Sequence, residues 1–239
     1  MQNLPRNGAI RKAITAPKGY NLIACDSSQI EARMVAYIAG QQDLVQAFRE
    51  GRDVYSEFAS EVYGRTVTKS DKIQRFVGKT CILGLGYGMG HIKFRATLAL
   101  GQGGIAVDID ENEAKRIVNL YRQKNHKIVS LWNSCNHALK GMVASASGNI
   151  CPLLPYDLNG ITLPNGLIIK YHALRNTADG FEYISDARTF RKLTQKRILT
   201  GEQEKIDWTK IYGGKVTENV VQALARIVVA EQMLSLIHI

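Results

Sequence analysis

Two groups of residues in this chain carry chemistry in their types and spacing. The first is CDSSQIEAR, Cys25 to Arg33. Asp26 closes the short apolar run Leu22, Ile23, Ala24 and Cys25, the pattern of a strand buried on both faces. Ser27 and Ser28 are good capping residues for a helix that begins near Gln29 and carries Glu31. A carboxylate at a strand end is rigidly held and open to a cleft, which suits a hard cation such as Mg²⁺. A lone Asp there is ordinarily a helix cap, so the reading depends on what accompanies it.

The second group lies on a helix expected from about Lys69 to Gly90. Arg75, Lys79, Leu83 and Tyr87 follow at i, i+4 spacing and share one slowly rotating face. Two cations, an apolar side chain and an aromatic in a row form a ladder for a nucleotide. The cations suit phosphates, and the other two suit sugar and base. Taken alone, two basic residues four apart usually mark nothing more than a solvated face. Thr68 or Ser70 is expected to cap the helix, and the glycines of GLGYGMG to loosen its end.

Two nearer-sounding motifs fail. Gly78-Lys79-Thr80 ends like a phosphate-binding P-loop, but Ile73 stands where its first glycine belongs, and a helical pattern replaces the preceding strand. The glycines at 84, 86, 88 and 90 do not fit a dinucleotide-binding fingerprint.

The elements that must position these residues are mostly helical. Helical patterns cover Arg52 to Tyr63, Glu111 to Lys124 and Ile128 to Val143, with Asp108 and Asp110 as N-terminal charges and caps for the second. Asn159 to Tyr171 and Phe181 to Ser185 read as hairpin strands, with Pro164-Asn165-Gly166 as a turn. Gly213 and Gly214 are expected to break the chain before a last helix, about Val216 to Leu234. The 239 residues suffice for one large or two small domains. Lysine and arginine number 31 against 21 acidic residues, a net charge of +10 that favours a polyanionic partner. The four cysteines have no metal-like or disulfide spacing and read as buried thiols in a reducing compartment. The five histidines have no ligand spacing. No apolar run approaches a membrane span, and no signal peptide opens the chain.

Together the segments resemble the family A DNA polymerases, the bacterial polymerase I type and its phage relatives. DSSQIEAR, Asp26 to Arg33, resembles that family's motif A. RFVGKTCILGLGYG, Arg75 to Gly88, resembles its motif B, R-x₃-K-x₃-(aromatic)-x₃-Y-G. QNLPRN, Gln2 to Asn7, is similar to the segment upstream of motif A, and Tyr212 to Arg226 to the helix that returns to the palm in phage members. The fold implied is α+β and mainly helical, the fingers plus an incomplete palm of a right-hand polymerase. Residues 1–45 would be palm, 46–205 fingers and 206–239 the return helix.

The resemblance implies nucleotidyl transfer from a deoxynucleoside triphosphate to a primer 3′-hydroxyl, with two Mg²⁺ ions and primer–template DNA. It makes Asp26 a metal-bridging carboxylate with the Ser27 carbonyl as accessory ligand. Arg75 and Lys79 neutralise the triphosphate, and Tyr87 lies by the templating base position. Gln29, Glu31 and Leu83 join them at the nucleotide, Glu31 as the steric gate against a ribose 2′-hydroxyl. Arg6 and, in the palm, Gln222 and Asn219 touch DNA in the minor groove, whose acceptors are nearly the same for every correct pair.

Three departures stand out. Leu83 replaces an aromatic, and Tyr55 replaces a histidine that approaches the triphosphate. The family's His-Asp-Glu motif C is also missing, so the chain is expected to be a fragment inactive alone, and its closing LSLIHI matches no expected helix end. The alternative is a non-catalytic primer–template DNA-binding remnant. A single-subunit RNA polymerase is disfavoured by Glu31 and its SQIE context. The expected location is the cytoplasm, that of a bacterial host if phage-encoded.

Overall fold

The computed structural model describes residues 9–23, 26–101, 103–185 and 208–237. The architecture is α+β and mainly helical. After α1 (Ala9–Lys12) come α2 (Ile30–Ala39), α3 (Gln42–Arg49), α4 (Val54–Tyr63) and α5 (Lys72–Gly84). A 3₁₀ turn, Leu85–Tyr87, extends α5. Then follow α6 (His91–Leu100), α7 (Glu111–Lys124) and α8 (His126–Val143). Among the described residues seven short strands come next: β1 (Gly148–Asn149), β2 (Pro155–Asp157), β3 (Gly160–Thr162), β4 (Ile168–Ile169), β5 (His172–Thr177), β6 (Gly180–Ile184) and β7 (Thr209–Ile211). The long helix α9 (Gly213–Ile237) closes the order.

The strands form two antiparallel sheets, β1-β2-β3-β4 and β5-β6-β7. The Pro164-Asn165-Gly166 turn joins β3 to β4 as expected. Gly166 takes φ 80°, and Leu163 N–H reaches Leu167 O at 2.8 Å. The left-handed backbone there is open to glycine without steric cost.

Two apolar cores meet at α2. One takes Ala32 and Ala36 of α2 with side chains of α3 to α7, among them Phe58, Val77 and Tyr121. The other takes Val35 and Ile38 with α8, the sheets and α9, among them Trp132, Ile161, Val216 and Val220. The helix is apolar nearly all round because both of its sides are covered.

Several local expectations meet the structure unchanged. Helix α7 starts at Glu111, and Asp110 accepts from Glu113 N–H at 2.8 Å, a cap of about 1 kcal/mol. Cys81 and Cys135 are buried free thiols as expected, whereas the free thiol Cys151 is only partly buried and Cys25 lies outside the described residues. No helix among the described residues is long and apolar enough to cross a membrane.

Other expectations need correction. No strand forms at Leu22 and Ile23, which are irregular and 63 % and 88 % exposed. No described strand lies beside them, and an unpaired strand leaves its backbone groups without a ladder. Ala24 and Cys25 fall outside the described residues. The residue opening α5 is Asp71, not Thr68 or Ser70. Its carboxylate accepts from the Thr68 N–H at 2.8 Å and the Thr68 hydroxyl at 3.0 Å, so the turn before the helix is what it secures. Gly213 and Gly214 do not break the chain; they begin α9. A Cβ on Gly213 would meet Trp132 O at 2.0 Å, and one on Gly214 would meet Tyr87 O at 2.3 Å. Close backbone approach is what they serve. Helix α9 also runs through LSLI to Ile237, past the end expected near Leu234.

Gly78, which opens the P-loop-like ending rejected above, is where α5 presses on α4. A Cβ there would lie 2.1 Å from Tyr55 O and 3.0 Å from the Ala59 Cβ. Gly78→Ala must push the two helices apart. We expect a loss of about 1–3 kcal/mol in urea unfolding, as for other overpacked cores. A stability equal to wild type would contradict this packing.

Candidate nucleotide site

The described site residues hang on three helices. Arg75, Lys79 and Leu83 lie on α5, and Tyr87 on the 3₁₀ turn after it, all half-buried along one side. Gln29, Glu31 and Asp26 sit at or before the start of α2. Asn219 and Gln222 belong to α9. Arg6 lies outside the described residues.

The start of α2 is shaped by its backbone. Gln29, at the helix N-cap, takes φ 58°, one of three described non-glycine residues with positive φ. Such conformations cost energy and cluster at functional sites. Arg33 stabilises this turn. Its Nε donates to Ser28 O at 3.1 Å, its Nη1 to Phe48 O at 3.3 Å, and its guanidinium stacks 5.0 Å from the Phe48 ring.

From there α2 reaches both ends of the ladder. The Gln29 side chain meets the Tyr55 hydroxyl, beside Arg75. Burial pushes the Tyr55 phenol up, and Gln29 and the Arg75 charge offset part of that. One turn on, the Glu31 carboxylate faces the Tyr87 hydroxyl, with Glu218 of α9 also near. Burial above all, then the two carboxylates, raises the Tyr87 phenol above its usual range. Glu218 is itself held by Lys215 Nζ at 2.9 Å and by Gln222 Nε2 at 3.4 Å.

The cationic half of the ladder lines a groove of about 240 Å³ with Lys69, Lys72, Arg75 and Lys79, closed by Phe76, Gly103 and Ile105. Arg75 makes a two-pronged pair with Asp53, and no ion pair involves Lys79 among the described residues. Leu83 packs partly against the first core. Asn219 Nδ2 donates to the Tyr171 hydroxyl at 3.2 Å, while Gln222 is exposed.

Asp26 is exposed and Ser27 half-buried, the Ser27 hydroxyl donating to Gln232 Oε1 at 3.1 Å. Ser27 O accepts from Ile30 N–H at 3.3 Å, leaving one lone pair. Mg²⁺ commonly binds one or two carboxylates together with substrate phosphates. Asp26 and Ser27 O are hard oxygen donors of the type such an ion takes. Among the described residues no three His, Cys, Asp or Glu side chains converge on a metal-sized site, so a second ion would need carboxylates from elsewhere.

Sequence comparison bears directly on this arrangement. The profile of DNA polymerase family A matches residues 1–152, more than half of the chain. The chain belongs to the family A DNA polymerases. It is 33 % identical over 132 residues to a thermostable DNA polymerase I of Thermus aquaticus, covering 54 % of this chain and 15 % of that protein. Against the DNA polymerase I of Chloroflexus aurantiacus it is 39 % identical over 93 residues, 37 % of this chain and 10 % of that protein. With a DNA polymerase of Bacillus phage SP02 the identity is 26 % over 229 residues, 91 % of this chain and 33 % of the phage protein. The chain thus spans between a tenth and a third of the length of these relatives. The phage alignment necessarily takes in strands and helix beyond residue 152, which the family profile does not reach.

Two site residues were missed in the sequence. Asp53 lies 22 positions before its partner Arg75, and no local pattern links them. Glu218 lies inside the Tyr212 to Arg226 segment and passes for a helix-surface acid.

The Asp53 carboxyl is pushed up by burial, but hydrogen bonds from Arg75 and Ser56 and the Arg75 charge outweigh this and hold it below its ordinary 3.8. A group lowered by folding adds stability above its unfolded value, and that stability disappears as the pH falls through the lowered native value. Urea midpoints from about pH 5 down to about pH 2 should therefore fall more for wild type than for Asp53→Asn. Parallel curves would show that Asp53 contributes nothing to acid sensitivity.

Proposed function

We propose that this chain forms the nucleotide-binding part of a template-directed DNA polymerase. It would act in replication, on primer–template DNA and deoxynucleoside triphosphates. The observation that carries this reading is the ladder Arg75, Lys79, Leu83 and Tyr87 facing Gln29 and Glu31 at the start of α2. The polymerase names of the relatives support it.

On this reading residues 1–45 contribute to the palm, 46–205 form fingers, and 206–239 return to the palm. Lys79, with no ion pair among the described residues, meets the triphosphate as a point charge, and Arg75 adds the N–H donors of its free edge. Charge aimed at the place where negative charge develops is worth most in a site closed to water. Leu83 offers the sugar a flexible apolar contact in place of an aromatic plate. Tyr87 closes the far end, with its hydroxyl turned to Glu31. Arg6, Asn219 and Gln222 would meet the DNA minor groove. Mg²⁺ at Asp26 and Ser27 O would supply neutralisation of the attacking and leaving oxygens in an in-line displacement.

A second reading is a grip on primer–template DNA without chemistry, favoured because no three His, Cys, Asp or Glu side chains converge on a metal-sized site among the described residues. Primer extension with Mg²⁺ and all four deoxynucleotides separates the two. Incorporation that stops in chelator supports the polymerase; salt-sensitive DNA binding without incorporation supports the grip.

Glu31 supplies the sharpest test of substrate class. Its carboxylate faces Tyr87, one turn beyond the Leu83 that would meet the sugar, so it would exclude a 2′-hydroxyl, the group that marks RNA precursors. Glu31→Ala should raise ribonucleotide use relative to deoxynucleotide use by at least about tenfold in kcat/KM. Unchanged discrimination in an active enzyme would remove Glu31 from this role.

A further inference from the structure

Arg75 reaches from α5 to the carboxylate that opens α4. Its Nε donates to Asp53 Oδ2 at 2.7 Å and its Nη2 to Oδ1 at 3.1 Å. The Ser56 hydroxyl donates to the same Oδ2 at 2.8 Å, and the Tyr55 ring lies 5.3 Å from the guanidinium carbon. The pair is largely enclosed, with side chains 30 % and 16 % exposed for Arg75 and Asp53.

A guanidinium carries five N–H donors in a fixed plane. Asp53 takes two on one edge, so both Nη1 hydrogens and one on Nη2 remain. Those donors belong to a side chain that lines the groove with Lys69, Lys72 and Lys79. Asp53, Ser56 and Tyr55 together restrict the rotation that an unheld arginine would have. A side chain ordered before binding has less freedom to lose when an anion arrives.

We infer that Asp53 is a positioning residue of the nucleotide site, fixing one edge of Arg75 so that the other presents its N–H donors to a triphosphate. The inference rests on the reading above that Arg75 contacts the triphosphate. Lys79 needs no such holder: its three donors rotate about a point charge, whereas a fork must be aimed. Asp53 therefore acts through Arg75 alone.

The competing role is structural, since Asp53 stands at the N-cap of α4. Asn caps a helix as well as Asp does, but its amide cannot accept a two-pronged bond from arginine. The Asp53 side chain makes no cap hydrogen bond to the α4 backbone, so Asp53→Asn leaves the helix start as it is and removes the positioning.

The test is calorimetric titration of dGTP in Mg²⁺ buffer into the whole chain, as wild type, Asp53→Asn, Arg75→Ala and the double variant. Melting temperatures are taken alongside. We expect Arg75→Ala to weaken binding and Asp53→Asn to weaken it about tenfold, the scale for losing an orienting partner. The double variant should bind no worse than Arg75→Ala, because the effects run through one side chain. Asp53→Glu, which keeps a carboxylate, should recover part of the affinity and serves if Asp53→Asn proves unstable. Equal binding by wild type and Arg75→Ala, or none by wild type, would overturn the reading of the site and this inference with it. If Arg75→Ala weakens binding while Asp53→Asn does not, or if the two losses add in full, the site stands and the role of Asp53 falls.

Discussion

The double burial of α2 is the constraint on which the rest of this structure depends. Ten residues serve two cores at once, Ala32 and Ala36 on one side and Val35 and Ile38 on the other. Alanine is the side chain that lets the first core come close, and the branched residues fill the second. A helix fixed on both sides cannot rotate or slide without opening a void, and voids in a packed interior are costly. Its first turn is therefore a rigid reference. Gln29 and Glu31 inherit that rigidity, and the strained backbone at Gln29 is tolerated because the packing behind it determines it.

The ladder on α5 is fixed against this reference by glycines, which act here as absences. Gly78 lets α5 lie on the α4 backbone, bringing Arg75 within reach of Asp53. Gly214 lets the first turn of α9 lie on the carbonyl of Tyr87. Trp132 ties the same turn from α8, donating its indole N–H to Gly86 O at 2.8 Å. One end of the ladder is thus pinned by α4, the other by α8 and α9. The glycine contacts with α4 and α9 are between backbones and set position without flexible side chains, while α8 holds through the Trp132 indole.

What was legible in the sequence follows from these interactions. The α7 cap, the Pro164-Asn165-Gly166 turn and the long helices could be read because their causes lie within a few residues. The shared face of Arg75, Lys79, Leu83 and Tyr87 was likewise visible as spacing. Leu22 and Ile23, the described half of the strand expected before Asp26, are irregular, because a strand needs a partner and an apolar run does not say whether one is present. Gly213 and Gly214 were misread as a break because helix glycines look the same whether they end a helix or admit a neighbour's backbone. Asp53 and Glu218 were invisible for the same reason: their partners are brought to them only by the fold.

The far end of the ladder shows how charge decides geometry once packing has set it. Tyr87 has one phenolic proton, and two carboxylates face it. Glu218 already accepts from Lys215 at 2.9 Å and from Gln222 at 3.4 Å, so much of its charge is met on α9 itself. Glu31 has no ion pair among the described residues, and it is the carboxylate with most to gain from the phenol. The proton therefore goes to Glu31. That choice ties the side chain of α2 to the end of α5 and leaves Glu218 as a neighbour that raises the phenol without competing for its bond. A half-buried carboxylate that faces a neutral donor is held in place by it.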